Sequence, residues 1–156
     1  MKKKGNLIII SLIIILIITI ILLFIRLNTN GSSTLTCVKD IPNNHETLTF
    51  RYDVDGNMYS YNKELKLYNM DANTLNEQYE IYNNEYTRVK DLLNDNFKYE
   101  IIKNDNNMNI NVNILVSIYS NYFNQYTKDD NIKSYSKLED VKNYLLENEY
   151  KCTIRK

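Results

Sequence analysis

From Leu7 to Ile25, seventeen of nineteen residues are Leu, Ile or Phe, interrupted only by Ser11 and Thr19. At ~1.5 Å rise per residue a helix of this length runs roughly 28 Å, about the hydrocarbon thickness of a bilayer. Lipid offers no hydrogen-bond partners, so an isolated spanning segment has to be helical. Met1-Lys2-Lys3-Lys4 precedes the run and Arg26 closes it. That charge asymmetry predicts a cytoplasmic N-terminus and an extracytoplasmic C-terminal domain on a single-pass cell-membrane protein. The expected partition is residues 1–26 as basic tip and transmembrane anchor, 27–33 as a short polar tether, and 34–156 as the domain outside.

The alternative is a cleaved signal peptide, which leaves a secreted soluble domain. Such peptides have apolar cores of ~7–15 residues followed by a small-residue cleavage site. Here the core is longer, and Arg26-Leu27-Asn28-Thr29-Asn30 has no Ala-x-Ala pattern, so the uncleaved anchor is favoured. Thr34-Leu35-Thr36-Cys37 has the outline of a lipidation box. However, it puts Thr34 in the aliphatic slot and leaves eleven residues between Ile25 and Cys37. A type IV prepilin start is excluded because Ile10 stands five residues past Gly5, where a glutamate is required.

The chain is neutral overall, but all nineteen acidic residues follow Arg26, where only fifteen basic residues accompany them, a net charge of −4. A mildly acidic domain argues against nucleic-acid binding, which needs a basic face. A hydrophobic content of 44% is too high for a disordered tail.

Periodicity organises the domain. Thr34–Asp40 can form a first strand, with Leu35 and Cys37 on one face, and Ile41-Pro42-Asn43-Asn44 is turn chemistry. Glu46–Val54 alternates, with Leu48, Phe50, Tyr52 and Val54 on one side. Asp55-Gly56 suits a type I′ hairpin turn, and Met58–Leu67 returns as its partner. The period then lengthens. Leu75, Tyr79, Tyr82, Tyr86, Val89 and Leu93 make the apolar stripe of a helix over about Thr74–Leu93, capped by Asp71 or Asn73. Phe97–Lys103 and Met108–Ile118 read as a second hairpin, the latter with apolar residues at every even position against Asn109, Asn111 and Asn113. Tyr119–Tyr126 keeps a helical spacing of aromatics. Ser136-Lys137-Leu138-Glu139 fits a capping box for a helix to about Asn148, and Tyr150, Cys152 and Ile154 alternate in a closing strand. The expected fold class is α+β: an N-terminal transmembrane helix, then an antiparallel sheet with two amphipathic helices packed on one face.

The order of elements resembles that of the YehR-like lipoproteins, small surface proteins of Gram-positive and enteric bacteria. The likeness spans roughly Thr34 to Lys156. It is carried by Thr47-Leu48-Thr49-Phe50, the hairpin and Tyr-bearing helix after it, and the ending from Leu138-Glu139-Asp140-Val141 through Leu145–Lys151. It implies a small α+β envelope domain and no defined activity. Lipoproteins of that kind attach through a cysteine after a short signal peptide, a feature this chain departs from.

Few residues invite chemistry. Cys37 and Cys152 are the only cysteines; outside the cytoplasm they can pair as a disulfide, or they can be reduced core residues. No Cys-x-x-Cys points to redox catalysis. His45 is the single histidine, and zinc sites need more such ligands. Asp53, Asp55 and Asn57 start like a calcium loop, but Gly56 falls at the fourth position instead of the sixth, which favours a hairpin turn. Asp129 and Asp130 read as a solvated loop. No cofactor or metal site is expected. The fourteen tyrosines are the most suggestive feature. Tyr79, Tyr82 and Tyr86 are expected to face the core. Tyr119, Tyr122, Phe123 and Tyr126 are either core or a surface aromatic patch for an envelope protein or glycan. The expectation is a non-catalytic binding or structural domain at the cell envelope, partnered by the bilayer through Leu7–Ile25. An envelope hydrolase with an unrecognised carboxylate site is the alternative.

Overall fold

The computed structural model describes residues 32–118, 120–127 and 129–156. Six strands and three helices follow in the order β1 (Ser33–Ile41), β2 (Asn44–Tyr52), β3 (Met58–Leu67), α1 (Ala72–Leu93), β4 (Phe97–Lys103), β5 (Met108–Leu115), α2 (Ser120–Thr127), α3 (Leu138–Glu147) and β6 (Lys151–Arg155), with a short 3-10 turn at Asn94–Asn96 between α1 and β4. The strands form one sheet in the order β4-β5-β3-β2-β1-β6. Every neighbouring pair is antiparallel.

The alternation in the sequence becomes two chemically different faces. Leu35, Phe50, Tyr61, Ile114 and Phe97 are partners in one row across β1, β2, β3, β5 and β4. Side chains alternate along a strand, so residues in phase with that row line the same face, among them Cys37, Leu48, Leu65, Ile110 and Val112, and these five are buried. The helices cover that face: Phe123 of α2 stacks edge-on against Tyr61 at 5.3 Å, and Tyr86 of α1 meets Phe97 at 5.9 Å. Thr34, Thr36, Thr47, Thr49, Asn62, Asn109, Asn111 and Asn113 occupy the opposite phase and stay half-buried.

The expected architecture needs two corrections. The helices number three, because the aromatic spacing around residue 122 does produce α2. Among the described residues no helix is long and apolar enough to cross a membrane; α1 is long but polar along its outer face. The transmembrane helix expected over Leu7–Ile25 lies outside the described residues, as do the 1–26 anchor and most of the 27–33 tether.

Smaller differences have local causes. β2 stops at Tyr52, and Val54 is half exposed. The hairpin closes with Asp53 N–H donating to Asn57 O at 2.9 Å and Gly56 N–H to Asp53 O at 3.1 Å. Gly56 has φ +83° and is the one residue of this turn with positive φ; a type I′ turn needs two. The Asp53 carboxylate tightens the loop by accepting from the N–H groups of Asp55 and Asn57 at 2.9 and 2.8 Å. β5 ends at Leu115, three residues early. Of the two expected caps it is Asp71 that serves α1, accepting from the N–H groups of Asn73 and Thr74, and the helix starts at Ala72, two residues before the expected Thr74. The capping box at α3 does not form. Lys137 is its N-cap without a side-chain bond, and Ser136 Oγ instead accepts from the Lys133 N–H at 2.9 Å.

Candidate functional site

α1 lies toward the β4 side of the sheet and α3 toward β1 and β6, which leaves the middle of the apolar face incompletely covered. A cleft of about 400 Å³ opens there. Its floor comes from the strands: Lys39 of β1, Glu46 and Leu48 of β2, Tyr61 and Lys63 of β3. One wall is Tyr82, Glu85 and Tyr86 of α1. The other holds Tyr144, Leu145 and Asn148 at the end of α3, with Tyr150 beyond them. Tyr126 and Thr127 of α2, with Asp129 and Ile132 of the following loop, complete it.

The floor breaks the pattern of the sheet. Glu46 is in phase with Leu48 and Phe50, Lys63 with Tyr61 and Leu65, and Lys39 with Leu35 and Cys37. Three charges of the central strands therefore stand on the apolar face, a placement that demands partners. Lys63 Nζ lies 2.7 Å from Glu46 Oε1, with only 24% and 19% of the two side chains exposed. Tyr150 donates its hydroxyl to Glu46 Oε2. Burial alone would raise the Glu46 pKa, but the charge and hydrogen bond of Lys63, the Tyr150 hydroxyl and the charge of Lys39 outweigh it and hold the carboxyl below its ordinary 4.5. Glu46 is thus kept ionised.

The turn after α3 delivers Tyr150 to that carboxylate. Tyr150 N–H donates to Leu145 O at 3.0 Å and Glu149 N–H to Leu146 O at 3.2 Å, the paired bonds of a Schellman ending. Glu149 takes the left-handed position at φ +68°, where glycine is usual. Lys39 Nζ donates to Asn148 O at 2.9 Å and lies 3.6 Å from Glu149 Oε2, a cation at the negative end of a helix. It also stands 5.5 Å from the centre of the Tyr150 ring.

Tyrosines line the rest. Tyr61 packs against Tyr126 at 6.2 Å, Tyr86 against Tyr126 at 6.5 Å, and Tyr82 against Tyr86 at 5.8 Å between ring centroids. Burial pushes the Tyr61, Tyr126 and Tyr150 phenols well above their ordinary range. It takes Tyr86 up to about 12 although a hydrogen bond with Tyr126 pulls the other way. All four stay protonated at neutral pH. Tyr144 is also raised, chiefly through its hydrogen bond to Asp129.

The residues singled out in the sequence distribute as follows. Phe123 is fully buried beneath α2. Tyr122 is half-buried against the core, and Tyr126 lines the cleft. Tyr119 lies outside the described residues. Cys37 and Cys152 are direct partners across β1 and β6 and are joined as a disulfide, with Cα atoms 4.1 Å apart. His45 lies in β2, its Nδ1 2.5 Å from Asp40 Oδ1 and its Nε2 3.2 Å from Thr47 Oγ1. Asp130 pairs with Lys133 at 3.2 Å, while Asp129 reaches the cleft. Among the described residues no group of three or more His, Cys, Asp or Glu is placed to hold a metal ion. Glu46, Lys63 and Lys39 were not singled out from the sequence. Their signal was present in each case: a charge in phase with buried apolar neighbours on a strand.

Comparison with known families, curated proteins and solved structures gives no match.

Proposed function

We propose that this domain is a non-catalytic binding module working outside the cytoplasm, at the bacterial cell envelope, with the tyrosine-lined cleft as its ligand seat. The observation that carries this reading is the cleft itself, where three strands and three helices converge on a concave surface combining tyrosine rings with charged and polar groups. Concave sites of that kind, with aromatic walls and polar groups that fix orientation, are where small molecules bind. The disulfide supports an oxidising compartment, since such bonds seldom persist in the cytosol. The state of Glu46 argues against its serving as a general acid. A general acid needs a raised pKa, and this carboxyl is held in the opposite direction by Lys63 and Tyr150.

The test is a thermal-shift screen of the full chain against saccharides, short peptides and lipid headgroups. A ligand at a hundred times its Kd stabilises by about 2.7 kcal/mol, a shift easily resolved. The expected hit loses its effect in Tyr82→Ala and Tyr144→Ala variants. A hit that stabilises both variants as well as the wild type would move the seat elsewhere. Thiol labelling of the chain in intact cells checks the compartment: Cys37 and Cys152 are expected to resist labelling until reductant is added.

A further inference from the structure

We propose that the cleft accepts an uncharged or amine-bearing saccharide of one or two rings and turns away anionic ones, an inference that rests on the cleft being the ligand seat. Charge bookkeeping on the floor is the starting point. Glu46 and Lys63 neutralise one another at 2.7 Å. An acidic ligand that competes for Lys63 would strand Glu46 without its cation among buried groups, the most costly arrangement for an ion. Lys39 is likewise committed, to Asn148 O at 2.9 Å and to Glu149 at 3.6 Å. The remaining charged residues lining the cleft are Glu85 and Asp129, and neither has an ion-pair partner among the described residues. Asp129 already accepts from the Asn131 N–H at 2.8 Å and from the Tyr144 hydroxyl, so Glu85 is the acidic position left to a ligand among the described residues. Both carboxylates repel anions, and Glu85 suits a hydroxyl or ammonium donor.

The walls supply the complementary surface. Tyr82 on α1 and Tyr144 on α3 are both half-exposed, from opposite sides of the cleft. Sugars present a C–H face that packs on an aromatic ring and an edge of hydroxyls that bond carboxylates, amides and phenols. At about 400 Å³ the cleft lies near the lower end of the range for small-ligand sites, roughly 300–1,000 Å³. A peptide is less well served. The cleft floor is made by β1, β2 and β3, each paired on both sides, so it offers no free strand edge for main-chain pairing.

The experiment is calorimetric titration of the full chain with maltose, diacetylchitobiose, a glucosamine disaccharide, glucuronic acid and a short uncharged peptide. Binding of at least one of the first three is expected, with glucuronic acid at least tenfold weaker. Tyr82→Ala and Tyr144→Ala are expected to weaken the sugar tenfold or more, and Glu85→Gln to narrow the gap to glucuronic acid. Tyr82→Leu serves if the alanine variant fails to fold. Glucuronic acid binding best, or no saccharide binding at all, overturns the inference. If the peptide binds instead and depends on Tyr82 and Tyr144, the saccharide inference falls while the ligand seat stands. If no probe depends on either tyrosine, both readings fall.

Discussion

Reducing the Cys37–Cys152 disulfide without changing any residue should cost this domain a large part of its stability. The bond joins residues separated by 115 positions and holds β6, an edge strand paired to the sheet only through β1. The loop-closure relation for a loop of that length gives about 4.8 kcal/mol at 25 °C. The whole stability of an ordinary domain is about 5–15 kcal/mol. The unit Ser32–Lys156 has 125 residues. At about 2.1 cal/mol/K per residue its unfolding entropy near the midpoint is roughly 0.26 kcal/mol/K, so the expected drop in Tm is about 18 °C. Reduction keeps both sulfur atoms in the core, which isolates the cross-link from any cavity effect. Cys37 is fully buried, so the protein should be unfolded, reduced and refolded, with thiol content verified by alkylation. Paired thermal melts by circular dichroism then give the shift. A reduced protein melting within about 5 °C of the oxidised one would refute the reasoning and mean that the β1–β6 pairing and the packing of α3 hold the edge unaided.

Two further substitutions test the interior. Lys63→Met removes the main partner of Glu46 and is expected to destabilise by about 1–3 kcal/mol at pH 7, below the cost of breaking a fully buried pair because both side chains retain some exposure. In the wild type the depressed Glu46 pKa gives a contribution present above its unfolded value of 4.5 and lost as pH falls through the lower folded value. In the variant, burial dominates and that dependence should flatten or invert; urea unfolding from pH 3 to 7 reads it, and an unchanged slope would contradict the assignment. Tyr52→Phe is expected to be neutral or to stabilise by up to about 1 kcal/mol, measured by the same unfolding. The Tyr52 side chain is buried and its hydroxyl has no hydrogen-bond partner among the described residues, so removing it removes a desolvated group at no loss of a bond.

Much of the fold was legible because it is local. Strict alternation in Met108–Leu115 and the four-and-three spacing from Leu75 to Leu93 dictate which side of each element is apolar; the even positions of the strand and Leu75, Tyr86, Val89 and Leu93 of the helix are buried, while Tyr79 and Tyr82 are partly so. Asp71 names the start of α1 for the same reason: a carboxylate followed within three residues by free N–H groups needs nothing distant to work. The capping box at Ser136 failed because a competing local bond, from Lys133, took the hydroxyl first. The hairpin turn at Asp55-Gly56 was located but mistyped, since turn class depends on register across the two strands, and that register shifts between Arg51 and Tyr52.

The candidate site belongs to the other category. Chain order places β1, β2 and β3 as neighbours, but only the long return of β6 to the far side of β1 brings Tyr150 over Glu46, 104 residues away. Strand phase by itself puts Glu46 and Lys63 on the apolar face, although neither was singled out from the sequence. Whether a charge so placed is an error, a surface residue at a strand end or one half of a buried pair is decided by what packs above it, and α1, α2 and α3 come from distant parts of the chain. Side-chain phase is a property of one strand, readable from a few residues. A cleft is a property of how separate elements fail to cover a sheet completely, and no window of sequence contains it.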